Sequence, residues 1–174
     1  MPEIKETNQL IFPGKGIITA TVKGSRRFDA RGQMVDPGEV VAVVENHNII
    51  CNEGLQLLAG FAIDESATYD TGITYCELGT GSTAPAPTDT TLTTYHARKA
   101  VTSKSRSSYE LTITTFFTAA QSTAAIKEVG MWGGGDAAAG QATGLLFSHF
   151  LAAFDNSSGN YDITITYILT MARG

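Results

Sequence analysis

The chain has 174 residues, of which 43% are hydrophobic and only 17% charged, and its formal net charge is −5. That length suits one domain with a substantial core, and that hydrophobic share excludes intrinsic disorder. The acidic balance, with no basic run beyond Arg26-Arg27, argues against nucleic acid as a partner, because phosphate binding needs clustered cations.

Residues 1–15 read as an extended N-terminal arm, ahead of a single β-sandwich domain at 16–174. The opening Met1-Pro2-Glu3-Ile4-Lys5-Glu6 is polar and acidic where a secretory signal would be basic and then apolar, so first folding in a cytoplasm is expected. Leu10, Ile11 and Phe12 then stand together before Pro13, which biases Phe12 toward an extended backbone. The expectation is an arm whose three apolar side chains dock on a neighbouring subunit, in preference to folding back on their own sandwich.

Residues 16–23 alternate, with Ile18, Ala20 and Val22 on one face and Thr19, Thr21 and Lys23 on the other, which predicts a half-buried strand. A polar turn region at 24–38 leads to a β-branched strand at 39–45, which 47–51 may extend. The one predicted helix runs near residues 52–62. Leu55, Leu58, Ala59 and Ala62 have helical spacing, Asn52 is the expected N-cap and Glu53 suits the positive end of the dipole. Gly54 and Gly60 weaken this helix, so packing on a sheet must stabilise it. After a loop at 64–72 a strand is expected at 73–79, then a long loop at 80–91. Further strands are expected at 94–102, 109–118, 124–132, 144–151 and 161–170. No uncharged stretch supplies the roughly 20 mainly apolar residues of a membrane-spanning helix. The pattern predicts a mostly β chain, an antiparallel β-sandwich of jelly-roll-like layout with one short helix.

Few motifs suggest chemistry. Gly79-Thr80-Gly81-Ser82-Thr83-Ala84 has dinucleotide-loop spacing, yet Pro85 and Pro87 fall where the phosphate-binding helix should continue. An ordered loop is expected instead, with Gly79 and Gly81 at positive φ and Asp89 capping local N–H groups. His47, His96 and His149 lack metal-ligand spacing, and Glu53, Asp64 and Glu65 read as solvated helix ends. Asn156-Ser157-Ser158 reads as a turn, not a glycosylation site. Gly133-Gly134-Gly135 begins a loop, expected to be flexible, running to about 143, and Trp132 at its base is expected in the core or at a subunit contact. Cys51 and Cys76 are expected as buried thiols. No catalytic, cofactor-binding or metal-binding residue is expected, and the docking residues are Leu10, Ile11, Phe12 and Trp132.

Several segments resemble a recurrent group of small virion proteins of tailed bacteriophages, among them capsid-decorating and tail-fibre-like components. They are Asn48-Ile49-Ile50, Glu53-Gly54-Leu55-Gln56-Leu57-Leu58-Ala59, Leu78-Gly79-Thr80-Gly81-Ser82-Thr83-Ala84-Pro85 with Asp89-Thr90-Thr91-Leu92, Ala97-Arg98-Lys99-Ala100-Val101, Ile126-Lys127-Glu128-Val129-Gly130-Met131-Trp132, Leu145-Leu146-Phe147 and Ile163-Thr164-Ile165-Thr166-Tyr167. The resemblance spans roughly residues 46–170, and its most specific part is L-G-T-G-x-T-A-P followed by D-T-x-L. It implies a β-sandwich virion component without catalysis or cofactors, made in the bacterial host cytoplasm and located in the virion. The short chain favours capsid cement or decoration, as a homo-oligomer (a trimer) bound to the major capsid protein. The alternatives are a tail or baseplate component such as a fibre anchor and, from another class, a carbohydrate-binding module. Neither nucleic acid nor membrane is an expected partner.

Overall fold

The computed structural model describes residues 17–171 except 25–26, 29–30, 32, 37–39, 66–67 and 70. The N-terminal arm, with Leu10, Ile11 and Phe12, lies outside the described residues. In chain order the elements are β1 (Ile17–Gly24), β2 (Arg27–Phe28), β3 (Met34–Asp36), β4 (Val40–His47), β5 (Ile49–Ile50), α1 (Asn52–Ala62), β6 (Ile73–Gly79), β7 (Tyr95–Ala100), β8 (Ser103–Ser107), β9 (Glu110–Phe117), a 3-10 turn (Ala119–Gln121), β10 (Ala125–Gly133), β11 (Leu145–Asp155) and β12 (Tyr161–Thr170).

Two five-stranded antiparallel sheets form the sandwich. One has the order β4-β1-β12-β9-β8 and the other β5-β11-β10-β6-β7, while β2 and β3 make a small separate ribbon. The likeness to a jelly roll extends only to this two-sheet antiparallel layout, since a jelly roll distributes eight strands over its two sheets. Period-two alternation builds the core. Ile113 and Phe117 of β9 and Ile163, Ile165, Tyr167 and Leu169 of β12 are buried against Cys76 and Leu78 of β6, Val129 and Met131 of β10, and Phe147 and Phe150 of β11. The Phe147 and Tyr167 rings meet edge to face, with centroids 6.2 Å apart. The Tyr167 hydroxyl accepts a hydrogen bond from buried Asn48 Nδ2 at 3.1 Å.

The helix has the predicted bounds but a different face and cap. Its N-cap is Cys51, in an extended backbone and without a side-chain cap bond, and Asn52 is already helical. The buried residues are Gly54, Leu57 and Gly60, whereas Leu55 is 43% exposed. Glycine fits here because the helix lies directly on β11: a Cβ on Gly54 would overlap the Phe147 carbonyl, and one on Gly60 would sit 2.5 Å from the Tyr69 side chain. The strand expected at 94–102 ends at Ala100, and β8 follows it with all five residues exposed. The polar region at 24–38 holds the β2–β3 ribbon.

Candidate functional site

The outer face of the β5–β7 sheet carries a second buried layer. Alternation along β10 sends Val129 and Met131 inward, leaving Glu128, Gly130 and Trp132 on the other face, and β6 does the same with Tyr75, Glu77 and Gly79. Elsewhere such a face would meet water. Here residues 80–94 and 134–144 cover it, and Glu77, Glu128, Trp132, Leu146 and His149 are all buried.

Charge is buried there because each group is fully engaged. One carboxylate oxygen of Glu128 accepts the N–H groups of Gly81 at 2.9 Å and Thr94 at 2.8 Å. Its other oxygen accepts Thr93 N–H at 3.0 Å and lies 3.0 Å from His149 Nε2. The opposite ring nitrogen, Nδ1, lies 2.8 Å from Asp89 Oδ2, which also accepts Ala86 N–H at 2.8 Å. A row of contacts thus runs from β10 through β11 to the tip of the 80–94 loop. Asn52 N–H at the start of α1 donates to Pro87 O at 2.7 Å, and Glu53 accepts Leu146 N–H at 2.8 Å, so the helix N-terminus is fixed to the same assembly.

A second cluster fixes the other loop. Arg98 on β7 pairs with Glu77 on β6 at 2.8 Å, and both side chains are almost wholly buried. Its guanidinium lies over the rings of Tyr75 and Trp132, 4.9 and 4.8 Å from their centroids, and donates to Thr143 O at 2.6 Å. Burial raises the Glu77 carboxyl above its ordinary range, against the opposing pull of Arg98. The 134–144 loop is closed further by Thr143 Oγ1, which accepts Ala138 N–H at 3.0 Å. A loop expected to be flexible is therefore folded onto a buried cation.

These positions revise several expectations. Trp132 is 0% exposed and stacked under Arg98, so its indole has no surface to offer a partner subunit or a sugar ring. Gly79 and Gly81 are not among the glycines at positive φ, which are Gly134, Gly144 and Gly159. Glycine is needed at both for space: a Cβ on Gly79 would lie 2.6 Å from the Glu128 side chain, and one on Gly81 would strike the same carboxylate. No helix follows Gly81, and the loop amides at Gly81, Thr93 and Thr94 point at Glu128. Asp89 does cap local backbone, as expected. Cys51 and Cys76 are both buried thiols. Asn156 is buried, with Nδ2 facing Ser122 O, Ser122 Oγ and Tyr161 O within 3.0 Å, so its amide is a structural tie.

Three of the central residues, Glu77, Glu128 and His149, carried a legible signal. Each interrupts an apolar strand with a titratable group on the face opposite the core, and that pattern marks a covered outer face. What each one pairs with was not legible, since Glu128 meets Gly81 and Thr93 across 47 and 35 positions of chain. Among the described residues, no group of three or more His, Cys, Asp and Glu side chains is placed to hold a metal ion. No protein-family model, curated protein or solved structure matches the chain.

Proposed function

We propose that the chain is a non-enzymatic structural protein of a tailed-bacteriophage particle, a cement or decoration protein that binds the outer capsid surface as a homo-oligomer. The observation that carries this reading is the latched, weakly charged roof over the β5–β7 sheet. Its outward residues include Ser82, Thr83, Thr88, Thr90, Thr91, Thr93 and Thr94, all exposed. Hydroxyl-bearing surface is buried at little desolvation cost compared with charge, and a rigid loop loses little entropy on docking. The groups that elsewhere perform catalysis are occupied here: His149 is 1% exposed with both ring nitrogens in contact with carboxylates.

The resemblance to virion proteins supports the same reading in a specific way. The segments that carry it supply Gly79, Gly81 and Asp89 of the loop, Glu128 and Trp132 of β10, and Arg98 of β7. These are the residues that hold the two loops down. A trimer is the oligomer proposed, because closed cyclic symmetry is the common solution and a threefold matches threefold positions on a capsid.

The test mixes purified chain with particles of the encoding phage that lack it. Cryo-electron microscopy then reads occupancy, and native mass spectrometry at micromolar concentration reads oligomeric state. Trimers seated on the capsid exterior are expected. Density on the tail or baseplate would move the assignment to an anchor or adaptor, and a monomer that associates with neither would overturn the proposal.

A further inference from the structure

An apolar cleft of about 410 Å³ opens between the sheets at the end of the sandwich where α1 sits. Leu57, Leu58 and Phe61 of the helix line one wall, and Leu111, Ile113 and Met171 line the other. The mouth is apolar as well, with Phe61 58% and Met171 37% exposed. Lys104 at the rim has its amine pushed below the ordinary value by desolvation. An open cleft of this kind in a weakly charged chain calls for an occupant.

The strand register indicates which occupant can reach it. Ile17 pairs with Ile168, Ile168 with Thr112, and Thr112 with Ser105, so these four residues form one row across β1, β12, β9 and β8. Ser105 lines the cleft, and Leu111 and Lys104 flank this row. The start of β1 therefore lies two to three strands from the cleft, about 10–15 Å at the usual strand spacing. Four residues, 13–16, span up to about 13–14 Å. Within the chain before Ile17, Leu10, Ile11 and Phe12 are the only adjacent large apolar residues. In the β1–β12 register, position 14 falls opposite Met171, which lines the cleft.

We infer that the cleft is the seat of Leu10, Ile11 and Phe12 of the same chain. The short connection favours the chain's own segment over a neighbour's, because a tether of a few residues gives a local concentration in the millimolar range. This departs from the arm-to-neighbour contact that the sequence alone suggested, and it does not depend on the virion assignment.

The experiment uses the full chain with pairs of introduced cysteines. Phe12→Cys is combined with Phe61→Cys at the cleft rim, or with Ser157→Cys as the control. Ser157 is exposed and lies beyond the far end of β12, about 30 Å from Met171 at the usual rise per residue. All three substitutions are at sites outside the described core, and the native thiols are buried. Under mild oxidation the Phe12→Cys/Phe61→Cys chain should cross-link at least tenfold faster than the control and should migrate as a monomer. Equal rates, or cross-linking only into dimers, would overturn the inference. As a second reading, changing Leu10, Ile11 and Phe12 together to Ser should raise the fluorescence of an apolar dye severalfold through the vacated cleft. No rise would count against it even where cross-links form.

Discussion

Truncating the Glu128 side chain leaves three backbone N–H groups and one imidazole nitrogen facing apolar surroundings. Each buried donor left unpaired costs about 1–3 kcal/mol, and breaking a buried charged arrangement by removing one member costs about 3–5 kcal/mol. Glu128→Ala should therefore lower unfolding free energy in urea by about 3–5 kcal/mol. Glu128→Gln should cost less, because its oxygen still accepts from Gly81 and Thr94 while its amide turns a donor toward Thr93. Hydrogen exchange distinguishes the two effects: the amides of Gly81, Thr93 and Thr94 should lose protection in both variants, those of β12 only in proportion to global stability. Gly81→Ala tests the same contact from the loop side. Its added methyl strikes the Glu128 carboxylate and lies 2.5 Å from the Thr93 side chain, so a loss of about 1–3 kcal/mol is expected.

At the scale of elements, α1 shows how packing overrides local preference. Alanine in place of Gly54 should gain about 1 kcal/mol from helix propensity alone. Because its Cβ meets the Phe147 backbone, Gly54→Ala should instead destabilise the protein by about 1–3 kcal/mol, read as a lower urea midpoint at unchanged slope. Gly140→Ala, in the 134–144 loop, is the contrast. Its Cβ meets only Thr143 Cγ2 at 3.4 Å, so the change should be neutral or stabilising by up to about 1 kcal/mol. The apolar spacing of Leu55, Leu58, Ala59 and Ala62 could not reveal the glycine face, since close approach to a strand leaves no apolar side chain to count. The strands follow a similar rule. β6 and β12 were legible to the residue or nearly so, because one or both faces are buried and alternate. β8 was not, because Ser103–Ser107 is exposed throughout and polar in every position. It is an edge strand held by β9 alone, and Lys104 and Arg106 discourage further pairing along it.

For the whole molecule, the buried acids with elevated pKa tie folding to alkaline pH. Burial pushes the Cys51 thiol from 9.0 up to about 12, with the Asp89 and Glu53 carboxylates adding to the effect. Burial raises Cys76 and Tyr167 in the same direction. Cys51 sits beneath the outer loops, Cys76 on β6 between the sheets and Tyr167 on β12 of the opposite sheet, so the three report on every layer of the fold. In each case the folded state holds its proton to a higher pH than the unfolded chain does. Between the two values the folded state binds more protons, and stability falls as pH rises. The contribution of Cys51 is thus complete below about pH 9 and is lost as pH climbs toward 12. The urea midpoint should decline from about pH 9 upward, and the decline should be shallower in Cys51→Ala once its lower starting stability is subtracted. Thiol labelling at pH 8 separates global from local opening. If the sandwich and its latched roof unfold as one unit, both cysteines should react with a disulfide reagent at the same rate, which should match the rate of global unfolding. Faster reaction at Cys51 would mean that the roof opens alone, and Glu128→Ala should then accelerate that reaction selectively, leaving Cys76 to follow the global rate.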